Sequence, residues 1–177
     1  MRSRSGRNDR HLGVNTLRGR RLEEWEKFTS VKKRGEWAEL QFMAAAAQRR
    51  FMVCKPYGDS GAYDVGVDHG LNYIRVQVKS STSQRGRGYW CDFTRFEHYN
   101  DYTLEEVDLF AAYVIPENVW YLIPAAQLVR DRKRGAMLCP VVQPVKKNTF
   151  RYEGYKDAWW LLTKSRRGLG MCGRGRM

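Results

Sequence analysis

Three residues in one short segment have side chains that could act together on a phosphate ester. The segment "YDVGVDHGLNYIRVQVKS" carries Asp64 in its first half and Gln77 and Lys79 in its second half. Carboxylate and amide oxygens suit a hard cation such as Mg²⁺. An amine beside them can orient or deprotonate a water and stabilise the charge that develops on a phosphoryl group. These residue types therefore indicate metal-assisted phosphoryl chemistry.

The second half of this segment alternates as a β-strand does. Its apolar residues, which point to one face, are Ile74, Val76 and Val78. Gln77 and Lys79 point to the other face, because successive side chains of a strand alternate. We expect the apolar face to pack on an alanine-rich helix and the polar face to be wet.

The dipeptide "HG" predicts the turn of a β-hairpin, since Gly70 readily adopts positive φ. With a two-residue loop, Asp64 faces Arg75 and Ala62 faces Gln77. Asp64 then lies diagonal to Gln77 on the same face. The hairpin therefore brings the carboxylate, the amide and the amine within reach of one small ligand.

The stretch "GEWAELQFMAAAAQRR", residues 35–50, predicts a helix. Its apolar residues recur at helical spacing: Trp37, Leu40, Ala44 and Ala47. Its four consecutive alanines are strong helix formers, and they are small enough to let the helix lie close to a sheet.

Strands and turns account for most of the remaining chain. The stretches "FMVCKP" and "YWCDFT" predict strands, and "STSQRGRG" between the hairpin and the second of them predicts a flexible basic loop. Two apolar strands joined by "PEN" follow, then a short helix from Pro124. Residues 131–150 look irregular, and "DAWWLL" closes the compact part as a helix or buried segment. This order predicts an α/β or α+β sandwich with a mixed central sheet flanked by helices.

The net charge of +13 is concentrated in two arms. Residues 1–34 carry a net +7 and residues 164–177 a net +5, whereas the 129 residues between them carry +1. We expect a partly helical N-terminal arm, a compact domain over 35–163 and a disordered Arg/Gly-rich tail. Such arms attract a polyanion without reading its sequence, which favours nucleic acid as the partner.

Several other classes of protein are disfavoured. No apolar run approaches the roughly 18 residues that span a membrane, and no apolar signal segment follows the basic N-terminus. We expect a cytoplasmic protein of a bacterium, phage-infected cell or organelle interior, not secreted and not membrane-bound. The cysteines lack metal-ligand spacing and are expected to be free thiols; they are Cys54, Cys91, Cys139 and Cys172.

Three motifs together resemble a known family. "GEWAE", "YDVGVD" and "RVQVKS" are similar to those of the PD-(D/E)XK nuclease superfamily. The branch they resemble contains intron-encoded homing endonucleases and related bacterial and phage endonucleases, in which Gln-x-Lys replaces Glu-x-Lys. The resemblance covers about residues 32–163. It implies a restriction-endonuclease-like core over 35–163 and a DNA endonuclease that uses Mg²⁺, for which Mn²⁺ can substitute.

The resemblance assigns roles residue by residue. Asp64 occupies the position of the central aspartate, Gln77 that of the second acid and Lys79 that of the lysine. The helical acid is Glu36 or Glu39, because related nucleases use either spacing after the glycine. Asp64, Gln77 and one of these glutamates would hold the metal. Because Gln77 stands where most of the family has an acid, the metal site has one negative charge fewer, which makes the helical acid more necessary.

Basic and hydroxyl side chains near the hairpin and in the first arm are expected to contact DNA phosphates. They are Ser80, Arg85, Arg87, Arg18, Arg20 and Arg21. Double-stranded DNA is the expected substrate, and a double-strand cut implies a homodimer or homotetramer, since one site cuts one strand. The alternatives are an inactive nucleic-acid-binding protein with a nuclease-like fold, a four-way-junction resolvase, a restriction-type endonuclease, or a structural or ribosome-associated basic protein.

Overall fold

The computed structural model describes residues 28, 30–58, 61–70, 72–95, 102–140, 151–164 and 168–169. The α-helices within these ranges are α1 (Val31–Gln48) and α2 (Ala125–Asp131). The strands are β1 (Met52–Cys54), β2 (Val65–Asp68), β3 (Tyr73–Ser81), β4 (Gln84–Arg85), β5 (Gly88–Asp92), β6 (Leu109–Val114), β7 (Val119–Pro124) and β8 (Gly135–Leu138). Short 3₁₀ helices span Ile115–Glu117, Glu153–Tyr155 and Trp159–Thr163.

Five strands form the central sheet in the order β1-β2-β3-β6-β7. The β3–β6 pair is parallel and the other pairs are antiparallel, so the sheet is mixed, as the sequence predicted. A second, antiparallel sheet has the order β4-β5-β8. Strand β3 lies in the middle of the first sheet and leads directly into the second.

Apolar clusters cover both faces of the central sheet. One cluster joins the sheet to α1 and the segment Trp159–Thr163 through residues such as Phe42, Val76 and Leu162. The other joins it to the second sheet and α2 through residues such as Phe110 and Leu138. The face of β3 that the sequence analysis expected to be wet is therefore largely enclosed, and Gln77 is only 8% exposed.

Helix α1 begins earlier than predicted and buries a different stripe. It starts at Val31, with Ser30 as N-cap, rather than at residue 35. The buried residues share i, i+4 spacing; they are Ala38, Phe42 and Ala46. The predicted stripe was wrong, since Leu40 is 61% exposed and Ala44 and Ala47 are exposed too. The Phe42 ring packs 5.5 Å from Trp120 and 5.7 Å from Trp159, which fixes the rotation of the helix.

The β2–β3 hairpin has a register two residues away from the predicted one. Val65 pairs with Val76 and Gly66 with Arg75, so Arg75 does not face Asp64, which lies just beyond the last pair and accepts a hydrogen bond from the Gln77 side chain. The loop is four residues long and is closed by a 2.9 Å hydrogen bond from His69 N to Asn72 O. Gly70 has φ +66°, as the sequence predicted.

A close contact fixes this register. A Cβ atom on Gly66 would lie 2.0 Å from the Tyr73 hydroxyl oxygen, so the tyrosine ring crosses the strand where no side chain stands. A slip by two residues keeps every side chain on its face. The predicted face therefore holds although the predicted partners do not.

The second sheet is where the sequence analysis was wrong about secondary structure. The predicted loop "STSQRGRG" contains β4 and a tight turn, and the predicted irregular stretch after residue 131 contains β8. Gly135 lies under the Trp90 ring, where a Cβ atom would be 2.4 Å from the indole. Glycines that suggested a loop are thus required by close packing between strands.

Other elements match their predictions. Strands β1, β6 and β7 are present, "PEN" contributes to a 3₁₀ turn between β6 and β7, and α2 follows Pro124 directly. The segment "DAWWLL" is a mostly buried 3₁₀ helix. Cys54 is exposed and Cys91 and Cys139 are buried as free thiols, while Cys172 lies outside the described residues. Most of the two predicted arms, including all of 1–27 and 170–177, also lies outside them. No described helix has the length and apolar composition needed to cross a bilayer.

A buried ion pair ties β3 to the start of β6. Arg75 donates from Nε and from its backbone N to Asp108 Oδ2, each at 2.9 Å, and from Nη2 to Oδ1 at 2.9 Å. The two side chains are only 15% and 7% exposed. A bidentate pair with little access to water fixes both position and orientation.

We expect Asp108→Ala to lower the free energy of unfolding by about 3–5 kcal/mol, because it leaves a buried guanidinium without its counter-charge. Urea unfolding followed by circular dichroism measures the loss. Replacing both partners, as Arg75→Met with Asp108→Leu, should recover part of it. The more exposed pair of Arg95 with Glu106 is the control, and Arg95→Gln should cost less than about 1 kcal/mol. Equal losses in both variants would contradict this assignment.

Candidate active site

The Asp64 carboxylate is held at the edge of the hairpin by β3. Its backbone N donates to Val76 O at 3.0 Å, just beyond the last β2–β3 pair, Val65 with Val76. Its Oδ2 accepts a 2.6 Å hydrogen bond from Gln77 Nε2 and a 2.7 Å hydrogen bond from Val78 N. Neither bond uses Oδ1. The carboxylate is thus oriented through one oxygen and can offer the other to a ligand.

Burial makes the charge of this carboxylate costly. Burial, and after it the nearby charge of Glu39, raise the pKa of Asp64 to about 6. The hydrogen bond from Val78 N, the charge of Lys79 and the hydrogen bond from Gln77 oppose the rise in pKa. A carboxylate whose ionisation is disfavoured by burial and by a second carboxylate nearby is arranged as a cation would require.

The Lys79 amine lies on the same face of β3 as Gln77 and is anchored by residues outside that strand. Its Nζ donates to Thr94 O at 2.9 Å and to the Tyr102 hydroxyl at 3.3 Å. The same atom lies 5.2 Å from the centroid of the Tyr102 ring. Burial lowers the pKa of Lys79, and the charge of Asp64 opposes this effect. The amine is therefore fixed in place and easier to deprotonate than an exposed lysine.

The two candidate helical acids differ in position. Glu39 is half-buried, forms a 2.7 Å ion pair with Lys55, and is close enough for its charge to raise the pKa of Asp64. Glu36 is exposed, and its charge is the smallest of those that raise the pKa of Lys55. The structure thus brings Glu39, rather than Glu36, to the Asp64 side of the site.

These residues fit a divalent cation with oxygen ligands. Asp64 Oδ1, the Gln77 amide oxygen and the Glu39 carboxylate are all hard donors, which suit Mg²⁺ better than zinc or copper. Among the described residues, no three His, Cys, Asp or Glu side chains cluster as a metal site. Two carboxylates and an amide are consistent with Mg²⁺, which retains several waters and shares substrate phosphates.

The sequence analysis missed the partners that position the amine. Thr94 and Tyr102 lie beyond the motif. Thr94 contributes its backbone carbonyl, which any residue type could supply, so the sequence could not indicate it. Tyr102 follows a stretch with no described structure and gave no signal of its own. Lys55 was read only as part of a strand, yet it is the ion-pair partner of Glu39.

The residues expected to contact DNA are distributed unevenly. Ser80 is half-buried in β3, whereas Arg85 and Arg87 are exposed at the hairpin that joins β4 to β5. The three arginines of the first arm lie outside the described residues; they are Arg18, Arg20 and Arg21.

A scan against protein-family models matches the PD-(D/E)XK endonuclease family over residues 29–159. The chain belongs to this family. The match runs from the residue before the Ser30 cap to Trp159, so it includes α1 and the β2–β3 hairpin with its candidate site residues. It confirms the resemblance on which the roles of Asp64 and Lys79 were assigned.

A solved structure agrees with this assignment. The PD-(D/E)XK chain superposes on a bacterial homing endonuclease with a TM-score of 0.64 and 29% sequence identity. The alignment covers 78% of this chain and 96% of the homing endonuclease. A search of curated proteins finds no match. The fold is thus that of a nuclease, as the sequence predicted.

We expect Asp64→Asn to stabilise the metal-free protein at pH 7.5. The pKa of Asp64 is higher in the folded than in the unfolded protein, so the folded state binds the carboxyl proton more tightly. This proton binding stabilises the fold at low pH, and the stabilisation is lost as pH rises from about 4 through 6. The asparagine avoids that loss, with an upper bound of about 3 kcal/mol. Thermal unfolding of both proteins between pH 4 and 7.5 in EDTA measures the difference.

Added Mg²⁺ should raise the unfolding temperature of the wild-type protein but not that of Asp64→Asn, because a ligand stabilises only the state that binds it. Asp68→Asn, at the far end of β2, is the matched control and should respond to Mg²⁺ as the wild type does. A difference in stability between Asp64→Asn and the wild type that does not change with pH would refute the electrostatic account.

Proposed function

We propose that this chain is a Mg²⁺-dependent DNA endonuclease that hydrolyses phosphodiester bonds, with a homing-endonuclease-like role. The observation that carries the proposal is the convergence of Asp64, Gln77 and Lys79 at one place in a PD-(D/E)XK fold, with Glu39 beside them. The bacterial homing endonuclease that it resembles supports the finer assignment. Mn²⁺ can substitute for Mg²⁺ in a site of oxygen ligands.

Asp64, Gln77 and Glu39 would hold the cation. When bound, it polarises a phosphoryl oxygen and makes a water more acidic. The hydrogen bonds from Val78 N and Gln77 Nε2 keep the Asp64 carboxylate from rotating, so Oδ1 stays directed to one point. This preorganisation limits the reorganisation needed when DNA arrives.

Lys79 would move the proton. Burial lowers the pKa of Lys79, and a Lys79 that has lost its proton would take one from the attacking water, whose oxygen bonds to phosphorus while the bond to the leaving oxygen breaks and that oxygen takes a proton from solvent. A protonated Nζ also stabilises the extra negative charge on the phosphoryl oxygens. Its hydrogen bonds to Thr94 O and Tyr102 hold it on the side of β3 that Gln77 shares.

We propose double-stranded DNA as the substrate and a homodimer or homotetramer as the active assembly. The net charge of +13 provides an attraction for the phosphate backbone. One site cuts one strand, so two copies related by symmetry are needed to cut both. Free thiols at Cys91 and Cys139 and a DNA substrate both suit a reducing, cytoplasmic location.

Asp64→Asn and Lys79→Ala should each lower the rate of plasmid cleavage by roughly 100-fold or more, because each removes several kcal/mol of transition-state stabilisation. Gln77→Glu should instead lower the Mg²⁺ concentration needed for half-maximal cleavage, since it adds a carboxylate beside Asp64. Titrating Mg²⁺ against cleavage rate for each protein measures both effects. EDTA should stop cleavage by the wild type.

The control for these variants is Asp68→Asn, whose carboxylate lies at the other end of β2. Full activity in Asp64→Asn would refute the proposed mechanism. If the Mg²⁺ dependence of Gln77→Glu does not move, Gln77 is a bystander on β3 and not a ligand. DNA binding by Asp64→Asn should persist, which separates loss of chemistry from loss of folding.

Deleting residues 1–27 should weaken DNA binding and flatten its salt dependence, because it removes eight Lys and Arg residues. The deletion ends before Phe28, whose ring lies 5.5 Å from that of Trp37 on α1, and it leaves the Ser30 cap intact. The measurement is the dissociation constant for a fixed duplex at several salt concentrations.

The control for the deletion is its thermal unfolding temperature, which should stay near that of the full chain. A slope of log affinity against log salt equal to that of the full chain would show that this arm does not touch DNA. Substituting only Arg18, Arg20 and Arg21 by glutamine tests the three predicted contacts separately.

A further inference from the structure

The β4–β5 hairpin projects from the second sheet as a two-stranded ribbon. Gln84 pairs with Tyr89 and Arg85 with Gly88, which leaves Gly86 and Arg87 as the turn. Gly86 has φ +59°, and Arg87 is not among the residues with positive φ. Positive φ at only the first turn residue fits a type II′ turn, which matches the twist of the strands. The ribbon is thus a regular hairpin and not the flexible loop that the sequence suggested.

The side chains at the tip of the ribbon are exposed. Gln84, Arg85 and Arg87 are exposed, and no acidic residue occurs from position 80 to position 91. Within the described part of the chain, Gln84 and Arg87 make no hydrogen bond or ion pair through their side chains. The Arg85 guanidinium lies 5.4 Å from the centroid of the Trp90 ring. A glutamine amide and an arginine fork are therefore both exposed near the end of the ribbon, without a side-chain hydrogen-bond partner among the described residues.

The ribbon is fixed relative to the proposed catalytic lysine. Strand β3 runs on through Thr82 and Ser83 into β4, so Gln84 lies only five positions after Lys79. Ser81 Oγ donates to Trp90 O at 2.6 Å, and Trp90 N donates to Ser83 O at 3.0 Å. Five extended residues span at most about 18 Å, which is about five base-pair steps of DNA.

We propose that this ribbon enters the major groove beside the cleavage site and reads bases through Gln84 and Arg87. The inference rests on the proposed function, since it requires that DNA bind across Lys79. The major groove is about 12 Å wide and admits a two-stranded ribbon. A glutamine amide pairs with both hydrogen-bonding groups of adenine, and an arginine fork pairs with both acceptors of guanine. Arg85, stacked on Trp90, contacts the adjoining phosphate.

The test selects bound duplexes from a library of randomised DNA with the full-length protein in EDTA, and sequences them. A parallel sample with Mg²⁺ maps the cut sites. Arg87→Lys keeps the charge but loses the fork, and should reduce the preference for guanine at one position by about tenfold. Gln84→Ala should do the same for adenine at a nearby position. The adenine position should lie within about seven base pairs of the cut, which is the strand span plus the reach of a side chain, and the guanine position within about ten, because Arg87 lies three positions further along the chain.

Arg132→Gln is the control for charge, because Arg132 is exposed on another turn and its loss removes one positive charge without changing the ribbon. It should change no base preference. Unchanged base preferences in Arg87→Lys and Gln84→Ala would overturn the proposal, whether or not overall affinity falls. A wild-type protein with no base preference would overturn it too. Base preferences that shift as expected, in a protein that does not cut, would refute the proposed endonuclease activity and leave the ribbon assignment standing.

Discussion

The structure depends on the constraint that one strand, β3, must carry polar side chains through an enclosed part of the molecule. It is paired along both edges and covered on both faces, so each polar group on it needs a partner. Arg75 has Asp108, Gln77 has Asp64, and Lys79 has a carbonyl and a phenol. The first pair ties β3 to β6, and the other two form the candidate site. Structure and chemistry therefore follow from the same requirement.

Enclosure also sets the electrostatics of the site. Burial raises the pKa of Asp64 and lowers that of Lys79, so both groups are less strongly charged than they would be in water. In the absence of ligands this is a cost, because the carboxylate loses hydration that its hydrogen bonds only partly replace. A cation and a phosphate would remove that cost. The stability of the metal-free protein and the function proposed for it are thus opposed at Asp64.

The sequence predicted the features that follow from the alternation of side chains along a strand and from turn residues, and it missed the features that depend on packing. Alternating valines and the turn glycine were enough for the hairpin and for its faces, and a register error of two residues left those faces unchanged. Strands β4 and β8 could not be recognised, because Gly88 and Gly135 are typical of loops. Each is needed where another residue passes close by, such as Trp90 over Gly135. The choice between Glu36 and Glu39 likewise depended on how α1 rotates about Phe42, which the apolar pattern did not determine.

The glutamine at position 77 is explained by the balance of formal charges. Two carboxylates, Asp64 and Glu39, stand with two ammonium groups, Lys55 and Lys79, so the site without a cation is neutral. An acid at position 77 would leave one buried negative charge unbalanced, which is costly in a place of low polarity. In the proposed function, a divalent cation would make the site positive, and a phosphate diester would neutralise part of that charge. Glutamine would therefore make the metal-free fold easier to maintain and would couple binding of the cation to binding of DNA.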